Sequence, residues 1–168
     1  RKGRWDEIRN IRENKDSQSE LKQTLESERN LAGKKTLKSR SAERVMKVYT
    51  KSSGEVQIKF TGSNRKTADA VWAALPFEST AERWGDEIYF KIPVKLGEEN
   101  SQTVVSVGDI AYWPPGTSMC IFFGPTPVSE SKEPKAYSPV NVFAKVVGDP
   151  TVFKRIKSGE KIRVEPRL

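Results

Sequence analysis

Aromatic side chains beside a rigid turn form the run of this sequence that is best suited to binding chemistry. Tyr112 and Trp113 precede Pro114, Pro115 and Gly116. Two prolines and a glycine favour a fixed turn between the strands of a hairpin, which is a structural role. Aromatic residues beside such a turn also form grooves that bind extended, proline-bearing peptides. The run is therefore interpreted first as a turn, with peptide binding as its functional alternative.

A second aromatic turn combines an indole with two carboxylates, because Trp84 is followed by Gly85, Asp86 and Glu87. The simpler interpretation is a connection between strands, with Trp84 packed on the body of the protein. The functional alternative is an exposed rim, made by Trp84, Asp86 and Glu87, that holds a cationic or peptide ligand. Adjacent residues of a strand point to opposite faces, so the two carboxylates are weak candidates for acid and base catalysis.

Residues that several kinds of chemistry require are missing from the sequence. It contains no histidine and one cysteine, which excludes an internal disulfide and leaves no transition-metal site. No histidine is present to activate a nucleophile, and Cys120 lies in an apolar run that predicts a buried, unreactive thiol. No phosphate-binding glycine loop is found. We predict no metal and no cofactor, and no catalytic residue is assigned.

The formal net charge is +8, and most of the excess lies before residue 45. The first 44 residues include 13 basic and 8 acidic side chains, whereas residues 45–168 include 17 and 14. A basic arm is attracted to nucleic acid, anionic lipid or an acidic protein, but interleaved charges are also typical of a solvated tail. No apolar run reaches the roughly 18 residues that cross a bilayer. We expect no membrane association and a cytoplasmic location.

The first 44 residues hold few large apolar side chains and are predicted to form a polar helix or a disordered segment. Trp5, Ile8 and Ile11 are spaced like one helical face, and Leu21 and Leu25 like another. Neither stripe is long enough to be stable alone. We therefore divide the chain into a basic N-terminal extension, residues 1–44, and a folded domain, residues 45–168. The extension is either a loosely docked helix or an arm that binds a partner.

The folded domain alternates short apolar runs with turn residues, which predicts many strands and few helices. One short helix is expected to have Thr67 as its cap and to end at Pro76. A second has Asp149 as its cap and Pro150 at its first position. The predicted strands span Val45–Thr50, 55–60, Phe77–Trp84, 87–93, 104–113, 118–123, 140–147 and 161–167, and residues 124–139 are predicted to form a loop.

Four blocks of the domain resemble the small prokaryotic cyclophilin-like proteins. They read PFESTAERWGDEIYFKIPV, GDIAYWPPGTSMCIFFGPTP, SPVNVFAKVVGD and KSGEKIRVEPRL. The resemblance covers residues 45–168 and leaves the extension outside it. It implies a mostly β fold, a closed eight-stranded antiparallel barrel that is capped by two short helices.

Cyclophilins are prolyl isomerases, and the resemblance carries over only part of their site. Phe122 and Phe123 fall where cyclophilins have a Phe pair in a similar GSQFFI strand, so that one of them would line a proline pocket. The cyclophilin arginine lies in a pattern like FHRxxxxFxxQGGD, whereas the segment here reads YFKIPVKLGEEN. Lys91 or Lys95 would supply a charge there without the planar fork of an arginine. The cyclophilin glutamine and histidine have no counterpart.

The favoured function is a module that binds a peptide or small ligand without efficient catalysis. Its groove is predicted to use aromatic and apolar side chains, with a lysine at the edge. One alternative is a peptidyl-prolyl isomerase that acts on proline-containing peptides or proteins. Another is association with nucleic acid through residues 1–44, for which charge is the only support. The groove candidates are Tyr89, Lys91, Trp113, Met119, Phe122 and Phe123.

Overall fold

The computed structural model describes residues 44–168. The predictions for the N-terminal extension, including the helical stripes that contain Trp5 and Leu21, lie outside the described residues. Arg44, the first described residue, forms an ion pair with Asp69 and places its guanidinium 5.4 Å from the centre of the Trp72 ring. These contacts hold the start of the described segment against Trp72, and the division into residues 1–44 and 45–168 stays a prediction.

Nine strands and one α-helix follow along the chain, together with two short 3₁₀ helices at Pro114–Gly116 and Pro150–Arg155. The α-helix is α1 (Arg65–Ala74). The strands are β1 (Val45–Thr50), β2 (Gly54–Phe60), β3 (Phe77–Trp84), β4 (Glu87–Lys91), β5 (Gln102–Val104), β6 (Asp109–Trp113), β7 (Ser118–Phe122), β8 (Lys135–Val146) and β9 (Glu160–Pro166).

Eight of these strands form a closed antiparallel ring. Its order is β2, β1, β9, β3, β4, β7, β6 and β8, and it closes because β2 also pairs with β8. Strand β5 lies outside the ring and pairs with β8 alone. Closure leaves no unpaired edge in the ring, which satisfies the backbone groups of every strand. The predicted eight-stranded antiparallel barrel is confirmed.

The barrel interior is filled by side chains from alternate strand positions, as the period of two requires. α1 packs on this interior, where the Trp72 ring meets Phe60 edge to face at 5.6 Å. The 3₁₀ helix at Pro150–Arg155 packs there too, with Phe153 6.2 Å from Phe123. The interior core includes Met46, Val48, Ile58, Phe60, Ile88, Phe90, Ile110, Tyr112, Met119, Ile121, Phe143, Ile162 and Val164.

The start of α1 differs from the prediction. Thr67 is not the cap: Asn64 precedes the first turn in a left-handed conformation. The Thr67 N–H and hydroxyl both donate to Glu99, at 2.9 and 2.8 Å, so a carboxylate 32 residues away satisfies the free amides of the helix. Asn141 accepts from the Glu99 N–H at 2.9 Å. The second helix begins as predicted, since Asp149 accepts from the Thr151 N–H at 3.0 Å.

Two strand boundaries also differ from the prediction. Residues 104–113 are not one strand, because Gly108 adopts a left-handed φ of +94° and separates β5 from β6. The predicted loop, residues 124–139, is shorter than expected, because β8 already begins at Lys135. Pro139 lies inside β8, beyond the stretch in which that strand pairs with β6. The early start of β8 brings an additional aromatic residue, Tyr137, to the barrel wall.

A second set of buried residues covers the outer face of the wall formed by β4, β7, β6 and β8. On β7, Met119 and Ile121 point into the barrel interior, whereas Cys120 and Phe122 belong to this outer layer. One strand therefore serves two separate apolar layers with its two faces. The outer layer consists of Val105, Ala111, Cys120, Phe122, Ala136 and Val140, with Tyr89, Trp113 and Val142 packed against it.

Candidate functional site

A pocket of about 200 Å³ opens on the outer face of the barrel wall. Its base belongs to the outer apolar layer, and aromatic side chains from four strands surround it. The volume suits a small molecule or one side chain of a larger ligand and is below the range of drug-sized sites. The pocket is lined by Trp84, Glu87, Tyr89, Trp113, Cys120, Ala136, Tyr137 and Val140.

Strand pairing brings these residues to the same face. Tyr89 of β4 lies opposite Cys120 of β7, and Trp84 at the end of β3 lies opposite Glu87 at the start of β4. Residues directly opposite each other in an antiparallel pair share a face, as do residues two positions apart in one strand. Glu87, Tyr89 and Cys120 are therefore neighbours on the outer wall.

Four aromatic rings form a continuous wall around the pocket. Trp84 contacts Tyr137 with ring centres 6.1 Å apart, Tyr137 contacts Trp113 at 6.2 Å, and Trp113 contacts Tyr89 at 6.3 Å. All three pairs have steep interplanar angles, between 74° and 89°, which is a favourable arrangement for aromatic quadrupoles. The Trp113 indole N–H donates to Ser138 Oγ at 2.6 Å, so its ring orientation is fixed.

Glu87 places a carboxyl group inside this aromatic pocket. Its residue is only 5% exposed, and its Oε1 atom has no hydrogen-bond partner among the described residues. The Cys120 thiol supplies one hydrogen bond to the carboxyl group. Burial raises the pKa of Glu87 to about 7, an effect that the bond from Cys120 reduces only in part. Near neutral pH this carboxyl group can therefore gain or lose its proton with a small change in conditions.

The pKa of the Cys120 thiol is raised well above its ordinary value, because the thiol is buried and the Glu87 carboxylate lies beside it. The thiol therefore stays protonated at neutral pH, as a hydrogen-bond donor to Glu87. A protonated, buried thiol is a poor nucleophile. The pair is suited to holding a charge and not to covalent chemistry.

The turn before Glu87 is held in place by the neighbouring loop. Gly85 adopts a φ of +61°, the conformation that a tight two-residue hairpin turn requires at its first position. The Asp86 N–H donates to the Pro125 carbonyl at 3.0 Å, and the Phe123 N–H donates to the Asp86 carbonyl at 2.9 Å. The Asp86 carboxylate accepts from Arg83 at 3.1 Å. This turn therefore holds Trp84 and Glu87 on a rigid frame.

A protein-family model for cyclophilin-like proteins matches residues 44–165. The chain belongs to the cyclophilin-like family. The solution structure of a hypothetical protein from Archaeoglobus fulgidus is similar to it, with 39% identity and a TM-score of 0.63, over 74% of this chain and 95% of that one. No curated protein matches the chain. The predicted family is therefore confirmed. The archaeal relative is described as a hypothetical protein, so its name indicates no activity.

In this cyclophilin-like protein the structure brings four of the predicted site residues together. Trp84, Glu87, Tyr89 and Trp113 all line the outer pocket, although the sequence assigned them to two separate features, a rim and a groove. Lys91 follows Tyr89 on β4 but is exposed and does not line the pocket. Asp86 lies in the turn and is paired with Arg83.

The structure corrects the predicted groove at its apolar residues. Met119 and Phe123 do not line the pocket, because both side chains lie in the barrel interior. Phe123 is covered there by Phe153 and by the Arg83 guanidinium, 5.2 Å from the ring centre. Phe122 points to the outer face but is fully buried in the layer beneath the surface. The cause is strand alternation: neighbours in β7 cannot share a face.

Sequence reasoning missed four pocket residues of the cyclophilin-like domain: Tyr137, Ala136, Val140 and Cys120. Tyr137 and Ala136 were assigned to a loop because Ser, Lys, Glu and Pro dominate the residues around them. The alternation of small, aromatic and apolar residues from Ala136 to Val140 is the signal that would have indicated a strand there. Cys120 was predicted as a buried, unreactive thiol, and the structure does bury it.

Within residues 44–168, no helix combines the length and apolar character needed to cross a bilayer. In the same part of the chain, no group of three or more His, Cys, Asp or Glu side chains is arranged to hold a metal ion.

Proposed function

We propose that this cyclophilin-like protein is a binding module whose outer pocket accepts a small ligand or a single side chain of a peptide. The observation that carries the proposal is the Glu87 Oε1 atom, which is buried without a partner inside an aromatic pocket. Buried polar atoms are almost always hydrogen-bonded in folded proteins, and the exceptions concentrate at functional sites. A ligand that brings a hydrogen-bond donor or a positive charge to this atom would stabilise the buried carboxyl group.

The construction of the pocket supports binding in preference to catalysis. Its walls are set by strand pairing, by a rigid turn and by the indole hydrogen bond of Trp113. A preformed site of this kind loses little conformational entropy when a ligand enters. Prolyl isomerisation remains the alternative on the basis of the family, and a fold alone does not determine an activity. Within residues 44–168, no arginine lines the pocket.

The proposal is tested by heteronuclear NMR on the full chain, with the indole N–H signals as reporters. Trp84 and Trp113 line the pocket, whereas Trp72 packs on the barrel interior beside Phe60 and serves as an internal reference. We expect small cationic, neutral or peptide ligands to shift the first two signals and to leave the third unchanged. Shifts of Trp72 alone, or no shift with any ligand class, would refute the proposed site.

Peptides that contain Xaa-Pro bonds distinguish simple binding from prolyl isomerisation in the same experiment. A binding module shifts the pocket signals without changing the rate of cis/trans exchange of the peptide. Exchange peaks that appear only with the protein would instead establish isomerase activity, because the uncatalysed barrier of roughly 20 kcal/mol makes exchange slow.

A further inference from the structure

The aromatic wall and the buried carboxyl group favour one chemical class of ligand. We infer that the pocket binds an organic cation, an alkylated ammonium group whose charge is shared between the aromatic faces and Glu87. This inference rests on the proposed binding function and specifies its ligand. Four observations support it: the ring arrangement, the unpartnered oxygen of Glu87, the lack of a basic side chain among the described lining residues, and the size of the pocket.

The ring arrangement provides negative aromatic surface on several sides. Two tryptophans and two tyrosines line the pocket, in the order Trp84, Tyr137, Trp113 and Tyr89. The faces of these side chains carry the negative part of the ring quadrupole, and tryptophan binds cations best. Cages of this composition replace the hydration shell of a quaternary ammonium group with aromatic carbon.

When it is ionised, Glu87 supplies a negative charge inside the pocket. Among the lining residues that the structure describes, none is a lysine or an arginine. The nearest arginine along the strand pair, Arg83, instead contacts Asp86 and the carbonyls of Gly85 and Ile156. A cation in the pocket would lie beside the unpartnered Oε1 atom and would stabilise the ionised carboxyl group. An anionic ligand would be repelled by the same group.

The few hydrogen-bond acceptors of the pocket favour an alkylated ammonium over a primary one. A primary ammonium group has three N–H donors, each of which needs an acceptor when water is removed. Among the described lining side chains the one carboxylate is Glu87, to which the Cys120 thiol is already hydrogen-bonded. A trimethylammonium group has no N–H donors and its size suits a pocket of about 200 Å³. A free quaternary amine and a methylated lysine side chain share this chemistry.

The test compares two ligands of the same shape that differ only in charge: choline and 3,3-dimethyl-1-butanol. In the second, a carbon atom replaces the nitrogen. Dissociation constants are measured with the full chain from the Trp84 and Trp113 indole signals at pH 8. We expect choline to bind at least about tenfold more tightly, because cation–π attraction and a buried countercharge act on it alone. Equal affinities, or a preference for the alcohol, would overturn the inference.

The Glu87→Gln variant keeps the shape of the side chain and removes its charge. We expect the ratio of the two affinities to fall to within about threefold of unity, while the alcohol binds as before. Glu82→Gln is the matched control, since Glu82 is exposed on the same wall opposite Tyr89 and does not line the pocket. This control should retain the preference for choline. Loss of the preference in both variants would indicate a general charge effect and refute the assignment to Glu87.

The pH dependence gives an independent readout of the same pair. Choline affinity should rise by about tenfold or more from pH 5 to pH 8 as Glu87 ionises, while the affinity of the neutral alcohol changes little. In the described part of the chain, the other titratable groups that line the pocket are the Cys120 thiol of β7, the Tyr89 phenol of β4 and the Tyr137 phenol of β8. Since Glu87→Gln retains these groups, it should abolish the dependence; a dependence that persists would overturn the role of Glu87.

The outcomes also separate this inference from the proposed function. If the alcohol binds at the pocket and choline does not, the pocket is a binding site and the ligand class is wrong. If neither ligand binds, and the other cationic, neutral and peptide ligands also leave the Trp84 and Trp113 signals unchanged, the proposed binding function is wrong too. A peptide with trimethyllysine distinguishes the two sources of the group: tighter binding than choline assigns a modified protein as the partner, and weaker binding assigns a free amine.

Discussion

Removing the charge of Glu87 should change how the stability of the domain depends on pH. The carboxyl group has a pKa of about 7 in the folded protein, against an ordinary value of 4.5. The folded state therefore holds the proton more tightly than the unfolded state does. Its contribution to stability is fully present below about pH 4.5 and is lost as the pH rises to about 7. The Glu87→Gln variant has no such proton, so this loss should disappear.

The size of the effect follows from the two pKa values. The difference between the ordinary pKa of 4.5 and a pKa of about 7 corresponds to about 3 kcal/mol of unfolding free energy once the pH exceeds both values. Between pH 5 and pH 8, the wild-type protein should lose about 2.5 kcal/mol of unfolding free energy through Glu87, because part of the change has already occurred by pH 5. The variant should lose none of this amount. The unfolding free energy of Glu87→Gln, measured relative to that of the wild type, should therefore rise by about 2.5 kcal/mol between pH 5 and pH 8.

Urea unfolding of both proteins, followed by tryptophan fluorescence at several pH values, measures this difference. Comparing pH 5 with pH 8 within each protein cancels the constant cost of burying the glutamine amide. Glu82→Gln again serves as the control, because the Glu82 side chain is exposed and its carboxylate stays in water when the protein folds. If wild type and Glu87→Gln show parallel stability profiles from pH 5 to pH 8, Glu87 is not a buried titrating group and the account of the pocket fails.

Two further outcomes test the interior and the outer layer separately. Tyr112→Phe should lower the unfolding free energy in urea by about 2 kcal/mol. The buried hydroxyl donates to the Val94 carbonyl at 2.6 Å and accepts from the Leu96 N–H at 3.2 Å, and the variant loses both bonds. An unchanged unfolding midpoint would contradict this prediction. Cys120 should resist maleimide in the folded protein and react once urea unfolds the chain, because the thiol is buried and its pKa is raised. Mass spectrometry would measure the labelling, and rapid labelling of the native protein would contradict the burial of the thiol.

The barrel itself was predictable from local signals. Turn residues and apolar runs marked most strands, and Phe77–Trp84 was predicted with both of its observed ends. The boundaries that failed depended on single backbone positions or on distant partners. Gly108 divides two strands through its left-handed φ, and α1 is capped by Glu99 instead of Thr67. A contact across 32 residues leaves no local trace in the sequence.

The candidate site was predicted in parts that the sequence could not join. Trp84 and Glu87 lie in one turn and Trp113 in another, and only the strand order β3, β4, β7, β6 makes them neighbours. The errors arose from ignoring alternation, since Met119 and Phe123 face inward where Cys120 faces outward. Tyr137 was missed because Pro139 indicated a loop. Counting alternate positions along β7 would have excluded Met119 and Phe123 from the outer face. The start of β8 at Lys135 could be seen only in the structure.

The closed ring gives this domain an unusual freedom for change. In each strand of the wall, alternate residues point to the interior and to the pocket face, so the two sets of side chains occupy separate space. The four aromatic positions of the pocket could therefore be varied together in a library while every interior volume stays constant. Ligand preference and barrel stability would then vary as separate traits, and the wall would serve as a ready-made scaffold for engineered sensors of small molecules.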